Sequence, residues 1–263
     1  MIKGITRSDL LHGGVMMIAL AIVAVLQIPQ LEQLKNKSIN YDLDSLNKEQ
    51  SLVNVKLDFL EKMPSFGLDN VVANLTFMEF LGYFGDESAR NITGYQDTFN
   101  YFDVIIGKDP RFTDSYLFLS NTGTIYAGQP EKSIALTAQG LKSLTPALPK
   151  QSHFVWRYKG LDELLFLGDS QAAQKSFETA AEWAFFHEDE MSQQVGAQSK
   201  QTAEFLANNP DSVYAQIGAW SMLLSNTKDK FTQNLAITRI ESLGGKVDID
   251  EEGRVRIVPP AED

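Results

Sequence analysis

The sequence predicts an all-α protein: a helix-turn-helix repeat array that follows one N-terminal transmembrane helix and ends in a small C-terminal β-hairpin. Three observations support this prediction. The segment Leu10–Ile28 is almost wholly apolar, the motif FLGYFGD at residues 80–86 is echoed by LLFLGD at residues 164–169, and apolar and charged residues alternate near the C-terminus. These patterns are typical of a membrane-spanning helix, a repeated helical unit and a pair of strands.

Composition and charge exclude several classes of protein. With 263 residues, of which 43% are hydrophobic and 22% charged, the chain can bury a core, so global disorder is not expected. The formal net charge of −11 and the lack of a basic run interleaved with aromatics argue against nucleic-acid binding. The chain has no cysteine, which excludes disulfides, Fe–S clusters and thiolate zinc sites but does not reveal the compartment.

The first element is the apolar segment Leu10–Ile28. Its 19 residues would span ~28 Å as a helix, close to the ~30 Å hydrocarbon core of a bilayer. A buried core helix and a cleaved signal peptide are the alternatives, but the only small-x-small triplet, Ala19-Leu20-Ala21, lies inside the apolar run. We therefore predict an N-terminal transmembrane anchor in residues 1–30. Its topology is left open, because basic residues flank both ends.

Residues 31–64 are predicted to form a membrane-proximal linker and helix. The helix is Ser45–Met63, and Pro64 ends it. This helix holds the rest of the protein away from the membrane, pairs with a second copy or packs on the first repeat, and the last is the simplest of the three. Its apolar stripe consists of Leu46, Val53, Leu57 and Leu60.

Three helix-turn-helix units are predicted after this helix. Their turn glycines are Gly85, Gly128 and Gly168. The second helix of the third unit carries Ala173, Phe177 and Ala180. The two alanines allow two helices to approach closely, and the phenylalanine fills the gap between them. This arrangement resembles tetratricopeptide repeats, in which the first helix ends at a glycine and the second carries small-x3-aromatic-x2-small.

The other two units depart from that pattern. The second keeps Ser133 and Gly140 but has Thr137 at the aromatic position, and the first has Phe102 after an inserted segment, ESARNITG. The turn glycines are separated by 43 and 40 residues, whereas the family repeats every 34 or so. The resemblance therefore predicts a degenerate, elongated repeat domain over residues 65–243. Further helices within it are predicted at Met191–Asn208, Ser212–Leu224 and Phe231–Leu243.

The C-terminal residues 244–263 change period. In KVDIDEEGRVRIV, apolar and charged residues alternate, which predicts a β-hairpin followed by a tail. A three-residue loop, EEG, supplies a glycine where a positive φ is favoured. That loop places Val247 opposite Ile257 and Asp248 opposite Arg256.

The tetratricopeptide resemblance also implies a partner-binding groove. In such arrays the first helix of each unit lines a concave face that binds a protein segment. The implied positions are Phe118, Thr122, Ile125 and Tyr126 in the second unit, and Tyr158, Asp162, Leu165 and Phe166 in the third. Aromatic side chains supply contact area, and Asp162 suits a basic or amide-bearing client. Alternatively, Phe118, Leu165 and Phe166 are core residues between stacked helices.

No combination of residues predicts catalysis or metal binding. His12, His153 and His187 lie in separate segments without zinc-ligand spacing. The run HEDE at residues 187–190 is interpreted as the end of one helix and the start of the next. An apparent calcium loop that begins at Asp248 lacks the glutamate required at its twelfth position. Nucleophile-elbow and phosphate-loop motifs are absent, so we expect a non-enzyme with no metal or cofactor.

The anchor, together with the segments GLDNVVANLTFMEFLGYFGD and DPRFTDSYLFLSNTGTIYAGQPEKSI, resembles uncharacterised membrane-anchored proteins of cyanobacteria. This resemblance implies a single-pass protein of the bacterial plasma or thylakoid membrane. The predicted function is a membrane-anchored protein–protein interaction scaffold that aids assembly or organisation of a membrane protein complex. Its partner would be a protein client, and self-association is left open. The alternative is a membrane-tethered helical enzyme or small-ligand-binding domain.

Overall fold

The computed structural model describes residues 42–209, 212–227, 229–249 and 255–260, together with Met16, Val25, Gln27 and Ile28. This part of the chain is mostly helical, with one small antiparallel pair of strands near the C-terminus, as predicted. The predicted anchor Leu10–Ile28 lies almost entirely outside it. None of the described helices combines the length and the apolar character that a membrane crossing requires.

Eleven α-helices are present in the described ranges. The first six are α1 (Leu43–Lys62), α2 (Asp69–Gly85), α3 (Glu87–Thr93), α4 (Thr98–Lys108), α5 (Asp114–Ser120) and α6 (Pro130–Leu141). The other five are α7 (Ser152–Asp162), α8 (Ser170–Phe185), α9 (Glu190–Asn208), α10 (Val213–Asn226) and α11 (Lys230–Ser242). The four helices predicted with explicit bounds correspond to α1, α9, α10 and α11, and their ends differ by at most two residues.

Two of these helices change geometry before they end. α5 continues as a π-helical turn at Asn121–Tyr126, and α7 continues as a second one at Glu163–Leu167. Gly128 and Gly168 follow these turns with φ values of +64° and +66°. Because an L side chain is strained in this left-handed conformation, glycine suits both positions. Each glycine therefore reverses the chain into the next helix, α6 or α8.

The chain divides into two compact units. One comprises residues 1–51 and 86–93, and the other comprises residues 52–85 and 94–263. In the smaller unit the inserted segment ESARNITG forms α3. Asp86 caps this helix, because the backbone N–H of Ala89 donates to Asp86 Oδ1 at 3.1 Å. The surfaces and cavities described below belong to the larger unit.

In the larger unit each helix from α4 to α8 packs on the helix that follows it in the chain. α10 likewise packs on α11. Contacts also join alternate helices, because α4 packs on α6 and α5 packs on α7. α10 packs in addition on the π-helical turn that follows α7, and β1 packs on α11. α10 therefore lies against the π-helical turn that ends α7.

The core beneath the first helices is aromatic. Phe80 of α2 lies 4.7 Å, centroid to centroid, from Phe102 of α4 and 5.9 Å from Tyr101. Phe77 of α2 meets Phe118 of α5 at 5.1 Å. All three pairs are edge-to-face, an arrangement favoured by the charge distribution of aromatic rings. This cluster fixes α2, α4 and α5 against one another.

Two glycines allow close helix contacts. A Cβ atom added to Gly140 of α6 would lie 1.9 Å from the hydroxyl oxygen of Tyr116 of α5. Tyr116 is fully buried, and its hydroxyl donates to the carbonyl of Pro110 at 2.8 Å. A Cβ atom on Gly160 of α7 would lie 3.1 Å from the ring of Phe177. Phe177 therefore fills the space between α7 and α8, which is the role expected from the sequence.

The strands β1 (Lys246–Ile249) and β2 (Val255–Val258) pair antiparallel. Their register places Val247 opposite Ile257 and Asp248 opposite Arg256, as predicted. The loop that joins them lies outside the described residues. The register agrees with one apolar and one charge-matched face.

Candidate functional site: a cavity beside the C-terminal helices

A cavity of about 510 Å³ lies between α5 and α7, with their π-helical turns, and the C-terminal helices α10 and α11. Pockets for small molecules commonly measure roughly 300–1,000 Å³. Its apolar lining includes Leu117, Ile125, Leu161, Leu165, Phe166 and Leu223. Its polar lining includes Ser120, Thr124, Tyr126, Tyr158, Asp162 and Thr232. The cavity is therefore mainly apolar, with a few polar groups in its wall.

Threonine hydroxyls bond back along the helix where α5 passes into its π-helical turn, and Thr124 lines the cavity. Thr122 Oγ1 donates to the carbonyl of Phe118 at 2.7 Å, and Thr124 Oγ1 donates to the carbonyl of Ser120 at 2.5 Å. Hydrogen bonds of this kind satisfy buried hydroxyls and often bend a helix. The helix widens into its π-helical turn over the same residues. Such turns are frequent at functional sites.

Asp162 is the most unusual group in the cavity wall. Its side chain is almost completely buried, and Ser120 Oγ donates to its Oδ1 at 2.7 Å. Its Oδ2 has no hydrogen-bond partner among the described residues. Burial raises the pKa of Asp162 to about 7; the bond from Ser120 opposes this shift and the nearby charge of Glu163 adds to it. Asp162 therefore changes charge near neutral pH.

The neighbouring carboxylate, Glu163, has its own partners. It forms an ion pair with Lys159 one turn earlier on the helix, and Ser176 Oγ of α8 donates to Glu163 Oε2 at 2.6 Å. Lys159 Nζ also donates to Ser176 Oγ, at 3.1 Å. The basic group nearest in sequence to Asp162 is thus already paired with another residue. No lysine, arginine or histidine is among the residues described in the cavity wall.

Tyr126 joins the π-helical turn after α5 to α11. Its hydroxyl donates to Asp229 Oδ2 at 2.9 Å, and its ring stacks on Phe231 at a centroid distance of 5.5 Å. Asp229 also caps α11, because the N–H of Thr232 donates to Oδ2 at 2.8 Å. Burial alone would raise the pKa of Asp229, but the hydrogen bonds from Thr232 and Tyr126 outweigh burial and lower it.

The structure brings together most of the positions implied by the repeat resemblance. Tyr126, Tyr158, Asp162 and Phe166 line the cavity, as do Ile125 and Leu165. Tyr158 is half-buried, and burial raises the pKa of its hydroxyl. Phe166 lies edge-to-face with Trp220 of α10 at 5.1 Å. These residues form a wall of the cavity, and α10 and α11 lie opposite them.

Phe118 and Thr122 lie elsewhere. The ring of Phe118 packs into the aromatic core against Phe77, which agrees with the alternative stated from the sequence for this residue. Thr122 is fully buried and bonds back to the carbonyl of Phe118. The cavity is instead lined by Leu117 and Ser120 of α5 and by Thr124 of its π-helical turn. The aromatic core takes Phe118 because α2 presents two phenylalanines to it.

The opposite wall was not found by sequence reasoning. It consists of Ala219, Met222 and Leu223 of α10, with Thr227 after it and Thr232 of α11. The available signal was the composition of α10, which is apolar on more than one side. Ile217, Trp220 and Leu224 of the same helix are buried in a separate cluster with α11. A helix with two apolar faces is expected to contact two surfaces.

A second feature is a set of exposed apolar side chains on α1 and α2, here called the α1–α2 apolar face. On α2 it includes Leu75 and Met78, whose exposed fractions are 56% and 67%. An ion pair between Lys56 Nζ and Glu79 Oε1, at 2.5 Å, connects the two helices. Its members on and before α2 are Leu68, Val71, Leu75, Met78 and Leu81. Its members on α1 are Leu52, Val55 and Phe59.

An acidic cleft of about 300 Å³ adjoins this face between α1 and α4. Val55 lines the cleft and also belongs to the α1–α2 apolar face. The acidic lining residues are Asp58, Glu61 and Asp103. Burial raises the pKa of Asp103, although the charge of Lys132 opposes that shift. A negative cleft thus borders an apolar surface.

Two of the histidines are neighbours in space. The rings of His153 and His187 lie 6.3 Å apart, and His187 Nε2 is 2.9 Å from the carbonyl oxygen of Pro146. Burial lowers the pKa of His153, and the charge of His187 lowers it further. The described residues contain no group of three metal-ligating side chains. His153 lies in the first turn of α7, and His187 follows the end of α8.

Comparison with known proteins adds no relative: no family model, no curated protein and no solved structure matches this chain.

Proposed function

We propose that the chain is a membrane-anchored interaction scaffold, which binds a protein subunit of a membrane complex through the α1–α2 apolar face and aids assembly or organisation of that complex. The proposal rests on the distribution of apolar residues around α2. Its inner side buries Phe80 and Ala73, while Val71, Leu75 and Met78 are exposed on its outer side. A helix that is apolar all round is normally covered all round. Exposed apolar surfaces of this kind mark interaction sites.

Two features support a degenerate tetratricopeptide-like array as the frame of this scaffold. The helix pairs α5/α6 and α7/α8 both reverse at a left-handed glycine, Gly128 or Gly168. Contacts between α5 and α7, and between α4 and α6, join first helices to first helices and second helices to second helices. This is the neighbour pattern expected of stacked helical repeats.

The client is a protein that presents an apolar helix and a nearby basic residue. Gly82 of α2 has no atom within 4 Å of an added Cβ, so the outer side of α2 is open to a close helix approach. The acidic cleft beside Val55 attracts a lysine or arginine of the partner. Apolar helices with basic flanks are typical of membrane-protein subunits. In this proposal the chain is a non-enzyme, and the N-terminal segment Leu10–Ile28 supplies the membrane anchor.

The groove implied by the repeat resemblance is a weaker candidate for the client. α10 and α11 lie against the ends of α5 and α7, where a client segment would otherwise bind. A bound segment would have to displace the Tyr126–Asp229 hydrogen bond and the Tyr126–Phe231 stack. The α1–α2 apolar face needs no such rearrangement.

The test is site-specific photo-crosslinking of the full-length chain in membranes of the native host. A photoreactive side chain replaces Leu75 or Met78, and the matched controls carry it at Gln171 or Lys175, which are exposed polar positions on α8. We expect one discrete crosslinked protein from the α2 positions and none from the α8 positions. The same adducts from both helices would contradict the proposal.

Two double substitutions separate the candidate surfaces. Leu75→Asn with Met78→Asn should reduce recovery of the crosslinked client at least several-fold, whereas Tyr126→Ala with Tyr158→Ala should not. The opposite result would assign the client to the groove. If Leu75→Asn with Met78→Asn reduces binding to phosphatidylcholine/phosphatidylglycerol vesicles but leaves recovery of the client unchanged, the outer side of α2 would be assigned to the membrane surface instead. Circular dichroism must show an unchanged helical signal for each variant.

A further inference from the structure

The cavity beneath α10 and α11 is distinct from the α1–α2 apolar face and has a different character. It is bounded by α5, α7, α10 and α11, and its wall is largely aliphatic and aromatic. A scaffold that acted only through the outer side of α2 would not require a second pocket of about 510 Å³. Clefts of roughly 300–1,000 Å³ commonly bind small molecules. The volume is therefore suited to a ligand.

Asp162 determines the polarity of that ligand. Ser120 satisfies Oδ1, and Oδ2 is left without a described hydrogen-bond partner. A buried carboxylate is costly unless it is paired. Lys159 is paired with Glu163, and no basic side chain is among the described lining residues. When Asp162 is ionised, its counter-charge is therefore left for a molecule that enters the cavity to supply.

The rest of the wall suits a cation with an apolar body. The aromatic rings of Tyr126, Tyr158 and Phe166 line the same space as Asp162. Aromatic faces attract ammonium groups, most strongly where water is excluded. The aliphatic residues Leu161 and Leu223 offer contacts to a hydrocarbon chain. An anionic ligand would meet the charge of Asp162 without a compensating group.

We infer that this cavity binds a small organic cation with an apolar body, of the alkylamine class, whose ammonium group pairs with the carboxylate of Asp162. The inference is independent of the proposed scaffold function, because none of its residues belongs to the α1–α2 apolar face.

The titratable groups around Asp162 give binding a defined pH dependence. Glu163 and Lys159 on its own helix pair with each other, and Tyr158 has a pKa raised by burial. From the neighbouring elements, Tyr126 faces the cavity and is bonded to Asp229 of the α11 cap. Asp162 is therefore the group that changes charge near neutrality. Because an ammonium needs the ionised form and the pKa of Asp162 is about 7, affinity should rise about ten-fold from pH 6 to pH 8.

The test is isothermal titration calorimetry of the full-length chain with three probes of equal chain length: hexylamine, 1-hexanol and hexanoate. We expect hexylamine to bind most tightly and to release protons at pH 7, as judged from the heat measured in two buffers of different ionisation enthalpy. Hexanol should bind more weakly, and hexanoate should not bind. Hexanoate binding as tight as hexylamine binding would overturn the inference, and so would the absence of any hexylamine binding.

Three variants identify the site. Asp162→Asn keeps the shape of the side chain and should weaken hexylamine binding at least ten-fold, with little change for hexanol. Glu178→Gln, an exposed position on α8 that changes the net charge by the same amount, is the matched control and should bind like the parent. Ala219→Leu should fill the cavity and abolish binding of both probes. Unchanged hexylamine binding by either cavity variant would overturn the inference.

Discussion

Tyr126 and Asp229, which are 103 residues apart in the chain, are joined by a hydrogen bond of 2.9 Å between Tyr126 Oη and Asp229 Oδ2. Tyr126 is the last residue of the π-helical turn after α5, and Asp229 is the N-cap residue of α11. The same carboxylate caps α11 through the N–H of Thr232. A single side chain thus both starts the last helix and holds it against the second helix pair.

Tyr126→Phe tests the contribution of that hydrogen bond. The variant keeps the ring stack on Phe231 but leaves Asp229 with one donor fewer. Because Asp229 is largely exposed, we expect the free energy of unfolding to fall by only about 1 kcal/mol. Urea unfolding followed by tryptophan fluorescence measures this. If Tyr126→Phe lost as much stability as Tyr126→Ala, the hydroxyl would account for the whole contribution of Tyr126 and the ring stack for none of it. That result would contradict the expectation.

Asp162→Asn should change how stability depends on pH. Burial raises the pKa of Asp162 to about 7 in the folded protein, whereas the unfolded value is ~3.9. The folded state therefore binds this proton more tightly, so stability falls as pH rises from ~4 to ~7 and the loss is complete above that window. We expect the asparagine variant to be more stable than the parent at pH 8 by roughly 1–3 kcal/mol and to show no such gain at pH 4. Equal differences at both pH values, measured by urea unfolding, would contradict this expectation.

Gly140→Ala should destabilise the contact between α5 and α6. The added methyl group would lie 1.9 Å from the hydroxyl oxygen of the fully buried Tyr116. Forced repacking of this kind costs about 1–3 kcal/mol. The control is Gly107→Ala in α4, where no atom lies within 4 Å of the added carbon. Since alanine is the better helix former, this control should be neutral or stabilising by about 0.5–1 kcal/mol. Equal thermal midpoints for the two variants would contradict the predicted close contact.

Lys159→Met should cost more stability than Lys56→Met. Lys159 pairs with Glu163, and the two side chains are only 15% and 5% exposed, whereas Lys56 and Glu79 are 50% and 44% exposed. Removal of one partner from a buried pair leaves the other charge uncompensated, at a cost of about 3 kcal/mol. Loss of an exposed pair costs about 0–1 kcal/mol. Chemical denaturation measures the free energy of unfolding of both variants. Similar losses would contradict the prediction and would show that water reaches Glu163.

Local patterns in the sequence were sufficient to predict much of the fold. The predicted helix Ser45–Met63 corresponds to α1. Of the four residues in its predicted apolar stripe, Leu46 and Leu57 are buried and Val53 and Leu60 are half-buried. Ala173 and Ala180 are both fully buried on α8, as their small size indicates. The strand register is also correct, because alternation of apolar and charged residues fixes which side chains share a face.

The cavity could be predicted only in part. The tetratricopeptide resemblance implied that Tyr126, Tyr158, Asp162 and Phe166 lie in one groove, and these residues do line the same cavity. Sequence patterns could not reveal that Phe118 joins the aromatic core, because an exposed and a buried phenylalanine have the same helical spacing. Sequence patterns also did not predict which elements α10 packs against. Its position depends on contacts between residues far apart in the chain, which local spacing does not encode.

The outer side of α2 also governs the colloidal behaviour of the purified chain. Copies that carry a formal net charge of −11 repel one another over the Debye length, which is ~10 Å at 0.1 M salt and ~3 Å at 1 M. At low ionic strength this repulsion keeps the exposed apolar residues of two molecules apart. High salt removes the repulsion and strengthens apolar attraction, so the same molecules can meet through Leu75 and Met78. Ionic strength therefore controls whether the isolated chain remains dispersed.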